Sequence, residues 1–195
     1  MYKIFDKPID IDKPDFVIPL RTLQSPVDVY KFCRYHNLTA FGYGFRFVRN
    51  SYMTEQLKFG YSAPSPNARS SIQRGERLVR QIAWLPGWPT NVSSSHGFEF
   101  WHGCTDLINR EILPKDTNYT DIEIAIWSVA SRNNVSGYSM TAKKCAEFIE
   151  SELSDQYKER YGSLPWLNIA DPTNNKTHKA LAKSTFLKMF DFTEL

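Results

Sequence analysis

The sequence predicts an α+β domain in which a small three-stranded sheet, mixed or antiparallel, is flanked by helices. Residues 39–48 and 56–62 alternate apolar and other side chains with the period of two that is typical of strands. Residues 121–129 show the same alternation in part. After them, residues 140–162 carry apolar side chains at steps of three and four, which is the period of an amphipathic helix. Short strands combined with such a helix favour the α+β class.

Composition and charge are those of a folded, mildly basic protein. Of the 195 residues, 42% are hydrophobic and 14% aromatic, which supports a core and excludes a disordered chain. The formal net charge of +3 is compatible with nucleic acid as a partner. Because no apolar run is long enough to span a bilayer and no signal peptide opens the chain, we expect a cytoplasmic protein with no membrane partner. Three cysteines without CxxC spacing predict reduced thiols.

The first 38 residues predict an arm followed by one helix. Three prolines interrupt residues 1–24, which we expect to lie as an irregular arm on the domain. Because this arm carries both charge signs, packing is the favoured role, and a DNA-contacting tail is the alternative. Ser25 and Pro26 are a typical helix start, an N-cap followed by proline at the first helical position. We expect the helix to end near His36.

The two alternating segments predict an antiparallel hairpin. In the first segment, aromatic residues alternate with small ones, and Gly42 and Gly44 would let another backbone or a ligand approach closely. In the second segment, we expect Leu57, Phe59 and Tyr61 to share one face of the sheet.

An arginine-rich segment follows the hairpin. Its second half predicts a helix over residues 76–85 that ends at Pro86 and Gly87. Four guanidinium groups near a single acid repel one another unless an anion binds them, and the planar fork of arginine suits phosphate. The four are Arg69, Arg74, Arg77 and Arg80. The segment therefore predicts contact with phosphate groups, and a solvated basic face is the alternative.

Residues 86–119 predict an insertion into the domain. The insertion contains His96, His102 and Cys104, whose spacing fits no tetrahedral zinc pattern. We expect it to pack as part of the core or as a cap, and a DNA-contacting insertion is the alternative. A short helix is predicted over residues 106–112.

The amphipathic helix carries a carboxylate at the edge of its apolar stripe. Glu150 lies one turn from both Ala146 and Leu153. A carboxylate so close to a core must be paired, protonated or bound to a metal, because burying a bare charge is costly. A surface helix with a solvated Glu150 is the alternative. The helix is predicted to end at Gly162, and we expect residues 166–168 to be extended.

The last part of the chain, residues 170–195, predicts a linker and a C-terminal helix. Residues 176–190 combine an apolar face with several lysines. We expect this helix to pack on the domain or to form a homodimer contact, and its lysines to touch phosphates without sequence specificity.

The order of these segments resembles the GIY-YIG nuclease domain, in its divergent phage-type branch, over residues 39–169. The residues that carry the resemblance in the second half are Glu150, Leu153, Tyr157, Gly162, Pro165 and Asn168. In the first half they are the Gly-Tyr-Gly run at 42–44, the Lys-Phe-Gly run at 58–60 and the Gly-Glu-Arg-x-x-Arg-Gln run at 75–81. Lys58 stands where the strict family pattern has tyrosine, so Tyr61 or Lys58 itself would have to serve.

The resemblance implies a metal-dependent DNA endonuclease, encoded by a phage or a mobile element. Glu150 would hold one Mg²⁺ or Mn²⁺ ion, Arg77 would stabilise charge on the scissile phosphate, and Tyr43 or Tyr61 would take the proton of the attacking water. A tyrosine needs cationic neighbours for this, because its ordinary pKa is about 10. The implied substrate-binding residues are Lys58, Arg69, Arg80 and Asn168.

Two other functions agree with the same sequence. The first is a weakly active or inactive nucleic-acid-binding protein on the nuclease scaffold, which the lysine at position 58 supports. The second is a structural or partner-binding protein that uses the C-terminal helix.

Overall fold

The computed structural model describes residues 4–49, 53–64, 75–89, 99–137 and 139–168, and within these ranges the protein has an α+β fold. The strands are β1 (Phe16–Pro19), β2 (Phe41–Arg49), β3 (Met53–Ser62) and β4 (Ile122–Ser128). The α-helices are α1 (Val27–Tyr35), α2 (Glu76–Ile82), α3 (Glu99–Asn109) and α4 (Ala142–Tyr161). The described strands form one antiparallel sheet in the order β1-β4-β2-β3, so β1 and β3 are its edges.

The prediction of three strands was wrong, because the N-terminal arm contributes a fourth. Strand β1 pairs with β4, with Ile18 opposite Ile124. It is only four residues long and ends in Pro19, which lacks a backbone N–H. Proline is tolerated at such a sheet edge. The strand was hidden in the sequence because it is too short for its alternation to stand out between the prolines.

The predicted hairpin is confirmed, but β3 does not alternate throughout. Phe45 pairs with Lys58 and the next residue of β2 pairs with Gln56, so Leu57 is an extra residue in a β-bulge. Leu57 consequently packs in one apolar cluster and Phe59 in the other. The expectation that Leu57 shares a face with Phe59 and Tyr61 was wrong for this reason.

The sheet separates two apolar clusters. On one face, the β2 aromatic residues and the β4 isoleucines pack against α1, α2 and α3. On the other face, Phe59, Trp127 and the apolar stripe of α4 pack with residues 4–15 of the N-terminal arm. Helices α2 and α4 therefore lie on opposite faces of the sheet.

Two further predictions differ from the structure, and a third cannot be compared with it. Helix α3 begins at Glu99, well before the short helix predicted over 106–112. Residues Trp166–Asn168 form a 3-10 helix and not the expected extended segment. The predicted C-terminal linker and helix lie outside the described residues. Among the residues that the structure does describe, no helix combines the length and apolarity needed to cross a membrane.

Candidate active site

Helix α4 is fixed at both ends and along one stripe. At its N-terminus, the Thr141 side chain accepts a hydrogen bond from the Lys144 backbone N–H at 3.2 Å. At its C-terminus, Gly162 adopts the left-handed conformation with φ of 78°. The buried stripe of the helix includes Ile149 and Leu153. Glu150, next to that stripe, is half-buried.

Gly42 sets how closely α4 approaches the sheet. A Cβ atom at position 42 would lie 2.4 Å from Cγ2 of Ile149 and 3.5 Å from the backbone N of Glu150. Only glycine leaves room for this contact, because real Cβ atoms essentially never come so close to a neighbour. The glycine in β2 therefore brings the Glu150 backbone close to the strand.

Glu150 lies in a mixed electrostatic environment. Burial raises the pKa of its carboxyl, the nearby Arg77 and Lys58 lower it, and Glu147 raises it further, with a net upward shift. Glu147 lies one helical turn before Glu150, so the two carboxylates are neighbours on α4. Arg77 comes from α2, on the opposite face of the sheet, so it acts on Glu150 from beyond the edge strand β3.

Tyr61 links the edge strand β3 to α4. Gly42 and Tyr61 are paired across the β2–β3 ladder, which puts Tyr61 on the α4 face. Its hydroxyl makes a hydrogen bond with the Glu147 carboxylate. Burial and this hydrogen bond raise the pKa of Tyr61, although Lys143 and Arg77 act in the opposite direction. The cationic neighbours expected from the sequence are thus outweighed, and the phenol is held in its protonated form.

Arg77 reaches over the sheet edge to the same tyrosine. Its Nη1 donates a hydrogen bond to the Tyr61 carbonyl oxygen at 3.1 Å. Its guanidinium carbon also lies 5.2 Å from the centroid of the Tyr61 ring. The Arg77 side chain is exposed. A guanidinium and a phenol consequently touch at one edge of the sheet, and the carboxylates of Glu147 and Glu150 lie within electrostatic range of them.

Lys58 lies near this group in the edge strand β3. It pairs with Phe45, whose side chain belongs to the cluster on the α2 and α3 face. It is near enough to influence Cys104 of that cluster, and near enough to lower the pKa of Glu150 on the other face. Its position in the edge strand explains why it influences groups on both faces.

Tyr43 lies on the opposite face of the sheet from Glu150. Its side chain is fully buried in the cluster on the α2 and α3 face. Gln81 Nε2 donates a hydrogen bond to the Tyr43 hydroxyl oxygen at 2.6 Å. A Cβ atom on Gly60 would lie 2.5 Å from that hydroxyl, so the ring is covered by the β3 backbone. The sheet separates Tyr43 from Glu150.

The side chain of Asn168 is hydrogen-bonded to the β3 backbone. Its Oδ1 accepts a hydrogen bond from the Phe59 N–H at 2.6 Å, and its Nδ2 donates one to the Phe59 carbonyl at 3.0 Å. The side-chain amide thereby completes the hydrogen bonding of an edge strand. Arg80 is half-buried one turn after Arg77, and Arg69 lies outside the described residues.

Glu147 is the residue that sequence reasoning missed. The sequence placed it on the flank of α4, away from the stripe. Its spacing of three residues before Glu150 was the available signal, because residues so spaced are neighbours on a helix.

The described residues offer a sparse set of metal ligands. They contain no group of three or more histidine, cysteine, aspartate or glutamate residues that could together hold a metal ion. The cysteines are free and buried, and burial raises the pKa of both Cys33 and Cys104 to about 12. Thiolate ligation is therefore disfavoured. The donors at the candidate site are carboxylate oxygens.

No family model, curated protein or solved structure matches the chain.

Proposed function

We propose that the protein is a metal-dependent DNA endonuclease of the GIY-YIG type. The observation that carries the proposal is that Arg77 contacts Tyr61 at the β3 edge and lies close enough to Glu150 to lower the pKa of its carboxyl. These residues come from α2, β3 and α4, so the arrangement is not a consequence of sequence proximity. A guanidinium beside a phenol and a desolvated carboxylate supplies the groups that phosphodiester hydrolysis needs: an anion binder, a proton-transfer group and a metal ligand.

The carboxylate fits a hard divalent cation. Mg²⁺ and Mn²⁺ prefer oxygen donors, and Mg²⁺ accepts few protein ligands because it keeps several of its waters. The raised pKa of Glu150 reflects burial and the neighbouring Glu147, and a cation would relieve both effects. Glu150 would hold the ion, which when bound acts as a Lewis acid toward the phosphate.

The other side chains bind the phosphate and move the proton. Arg77 binds the scissile phosphate through its exposed guanidinium, a contribution of about a hundredfold to a thousandfold in rate for a single electrostatic donor. The Tyr61 hydroxyl oxygen accepts a proton from the attacking water while its own proton passes to Glu147. The phenol remains neutral throughout, in keeping with its raised pKa. Lys58 adds positive charge beside the phosphate.

The proposal is tested by nicking of supercoiled plasmid in Mg²⁺. We expect Glu150→Gln to abolish nicking and to leave DNA binding within about twofold, because the substitution removes the metal ligand and keeps the shape of the side chain. Chelator should abolish nicking by the wild-type protein.

The matched control is Glu159→Gln, the same substitution at an exposed position of the same helix. Glu159→Gln should nick as fast as wild type. Full nicking by Glu150→Gln, or equal loss in both variants, would remove the assignment.

A nucleic-acid-binding protein without turnover is the second candidate. The upward shift of the Tyr61 pKa favours it, because a protonated phenol does not by itself activate water. If this candidate is right, wild type and Glu150→Gln bind DNA equally and neither nicks it. Binding that weakens steeply with salt would then separate it from a protein-binding function.

A further inference from the structure

A second concave site lies at the C-terminal end of α4. It is a cleft of about 280 Å³ between the arm, the β2–β3 hairpin and the last turn of the helix. Tyr157 and Tyr161 of α4 and Glu55 of β3 are among its lining residues. None of these three residues belongs to the candidate active site.

The wall of the cleft carries an exposed aromatic surface. The rings of Tyr157 and Tyr161 contact each other with centroids 4.5 Å apart, which holds the outer ring in place. Tyr161 is nevertheless 60% exposed. Outside the lining residues, Trp166 donates a hydrogen bond from Nε1 to Glu55 Oε1 at 3.2 Å and keeps 37% of its surface exposed. Fixed, exposed rings are stacking platforms for flat ligands.

Tyr157 adds a polar group to the same cleft. Its side chain is only 8% exposed and is one of the lining residues. A tyrosine combines an apolar ring with a hydroxyl that both donates and accepts hydrogen bonds. A ligand in the cleft that offers a hydrogen-bonding edge would therefore find a partner in Tyr157.

The two arginines that line the cleft already interact with oxygen atoms of the protein. Arg160 makes two hydrogen bonds with the Asp12 carboxylate, at 2.9 and 2.8 Å. Arg46 donates to the Ile11 carbonyl at 3.0 Å and lies 3.6 Å from the Glu123 carboxylate. With Glu55 also present, the cleft has no excess positive charge to attract a phosphate. A neutral ligand fits it better.

We propose that this cleft binds a nucleobase, stacked on Tyr161 and hydrogen-bonded at its edge by Tyr157 and Glu55. A base is neutral and flat and carries both donors and acceptors, which are the properties that the lining selects. Glu150 precedes Tyr161 by eleven residues, or about 16 Å at 1.5 Å per residue. That separation corresponds to about five nucleotides of a B-form strand at 3.4 Å each. The inference thus rests on the proposed function for its choice of a nucleic-acid strand as ligand.

The test is binding of a single-stranded oligonucleotide that carries the fluorescent base 2-aminopurine, measured in chelator so that cleavage plays no part. We expect Tyr161→Ala to weaken binding about tenfold or more, because stacking on an aromatic residue contributes about 1–3 kcal/mol per base and 1.4 kcal/mol is tenfold. Tyr161→Phe should bind like wild type. The dependence of affinity on salt should be the same in all variants, because no phosphate contact is removed.

The matched control is Tyr35→Ala, at a tyrosine of α1 that is 86% exposed. It should not change affinity. The proposal is overturned if Tyr161→Ala binds like Tyr35→Ala, or if an oligomer of abasic nucleotides binds wild type as tightly as the base-containing strand. Base-dependent binding without plasmid nicking would reject the proposed nuclease function and retain the base-binding cleft. Nicking without base-dependent binding would retain the nuclease function and reject the base-binding cleft.

Discussion

Glu150 illustrates a conflict between function and stability at the level of one residue. Its carboxyl is desolvated and lies near Glu147, and both effects raise its pKa in the folded protein. The unfolded chain therefore binds fewer protons than the native protein between the ordinary pKa of glutamate and the raised value. Stability consequently falls as pH rises through that window, and at neutral pH the ionised carboxylate destabilises the fold.

We expect Glu150→Gln to raise the unfolding temperature at pH 7, by on the order of 2 °C, because the substitution removes a desolvated charge. The difference should shrink as the pH is lowered below about 4, where the wild-type carboxyl is protonated in both states. Mg²⁺ should stabilise the wild-type protein more than the variant. Differential scanning calorimetry at pH 3.5 and pH 7, with and without Mg²⁺, measures all three effects. A variant less stable than wild type at pH 7 would contradict this account of Glu150.

The two tyrosines show how far residue types alone can be interpreted. The sequence offered Tyr43 and Tyr61 as equal candidates, one in each strand of the hairpin. Strand alternation places Tyr43 beneath the sheet, where Gln81 donates to its hydroxyl, and Tyr61 on the α4 face. The register between two strands decides which face each side chain occupies, and register depends on pairing that a single strand does not contain.

At the level of elements, the long periodic segments were predictable and the local irregularities were not. The hairpin, β4 and α4 were predictable because their apolar residues recur with periods of two and of 3.6, and such periods are visible in the local sequence. The bulge at Leu57 leaves no such signal in the sequence, because it depends on contacts between the strands. The Gln56 side chain stabilises it by donating two hydrogen bonds, to the carbonyls of Phe45 and Lys58. Strand β1 was also not predicted, because its strand conformation depends on pairing with β4.

The contact between β2 and α4 gives an element-level prediction. We expect Gly42→Ala to destabilise the protein by about 1–3 kcal/mol, because the new Cβ would overlap the Ile149 side chain and push α4 away from the strand. Movement of α4 also displaces Glu150, so the rate of plasmid nicking should fall. Urea unfolding and plasmid nicking measure the two effects.

A double-mutant cycle separates this overlap from a general effect of alanine in the strand. Ile149→Ala alone should destabilise by a few kcal/mol through cavity formation. Combined with Gly42→Ala it should destabilise by less than the sum of the single variants, because the cavity accommodates the new methyl group. Strict additivity would show that Gly42 is needed for another reason.

At the level of the whole molecule, the arm ties α4 to the sheet. Gln156 of α4 accepts a hydrogen bond from the Ile11 N–H at 3.1 Å and donates one to the Ile9 carbonyl at 2.8 Å. The Trp127 indole of β4 donates to the Asp10 carbonyl at 2.8 Å. The arm thus contacts both layers that position Glu150, and the stability of the candidate site depends on residues far from it in sequence.

A buried ion pair also attaches the arm. Asp15, whose side chain is 5% exposed, accepts hydrogen bonds from Lys7, from Arg132 and from the Ser128 N–H. The Arg132 side chain is completely buried. Burial raises the pKa of Asp15, but the hydrogen bonds from Lys7 and Arg132 outweigh it and hold the pKa below its ordinary value. The pair therefore stabilises the fold only while Asp15 is ionised.

We expect Asp15→Asn to destabilise the protein by about 3–5 kcal/mol at pH 7, because it leaves the Arg132 guanidinium buried without its counter-charge. Asp12→Asn is the matched control, since the pair that Asp12 forms with Arg160 is solvent-exposed and contributes less than about 1 kcal/mol.

The unfolded chain binds more protons at Asp15 than the native protein does, so the wild-type advantage over Asp15→Asn should be complete above about pH 4 and be lost as the pH falls through the lowered pKa. Urea unfolding of the three proteins from pH 3 to pH 7 measures this difference, and an equal loss of stability in the two variants would show that the buried pair does not fasten the arm.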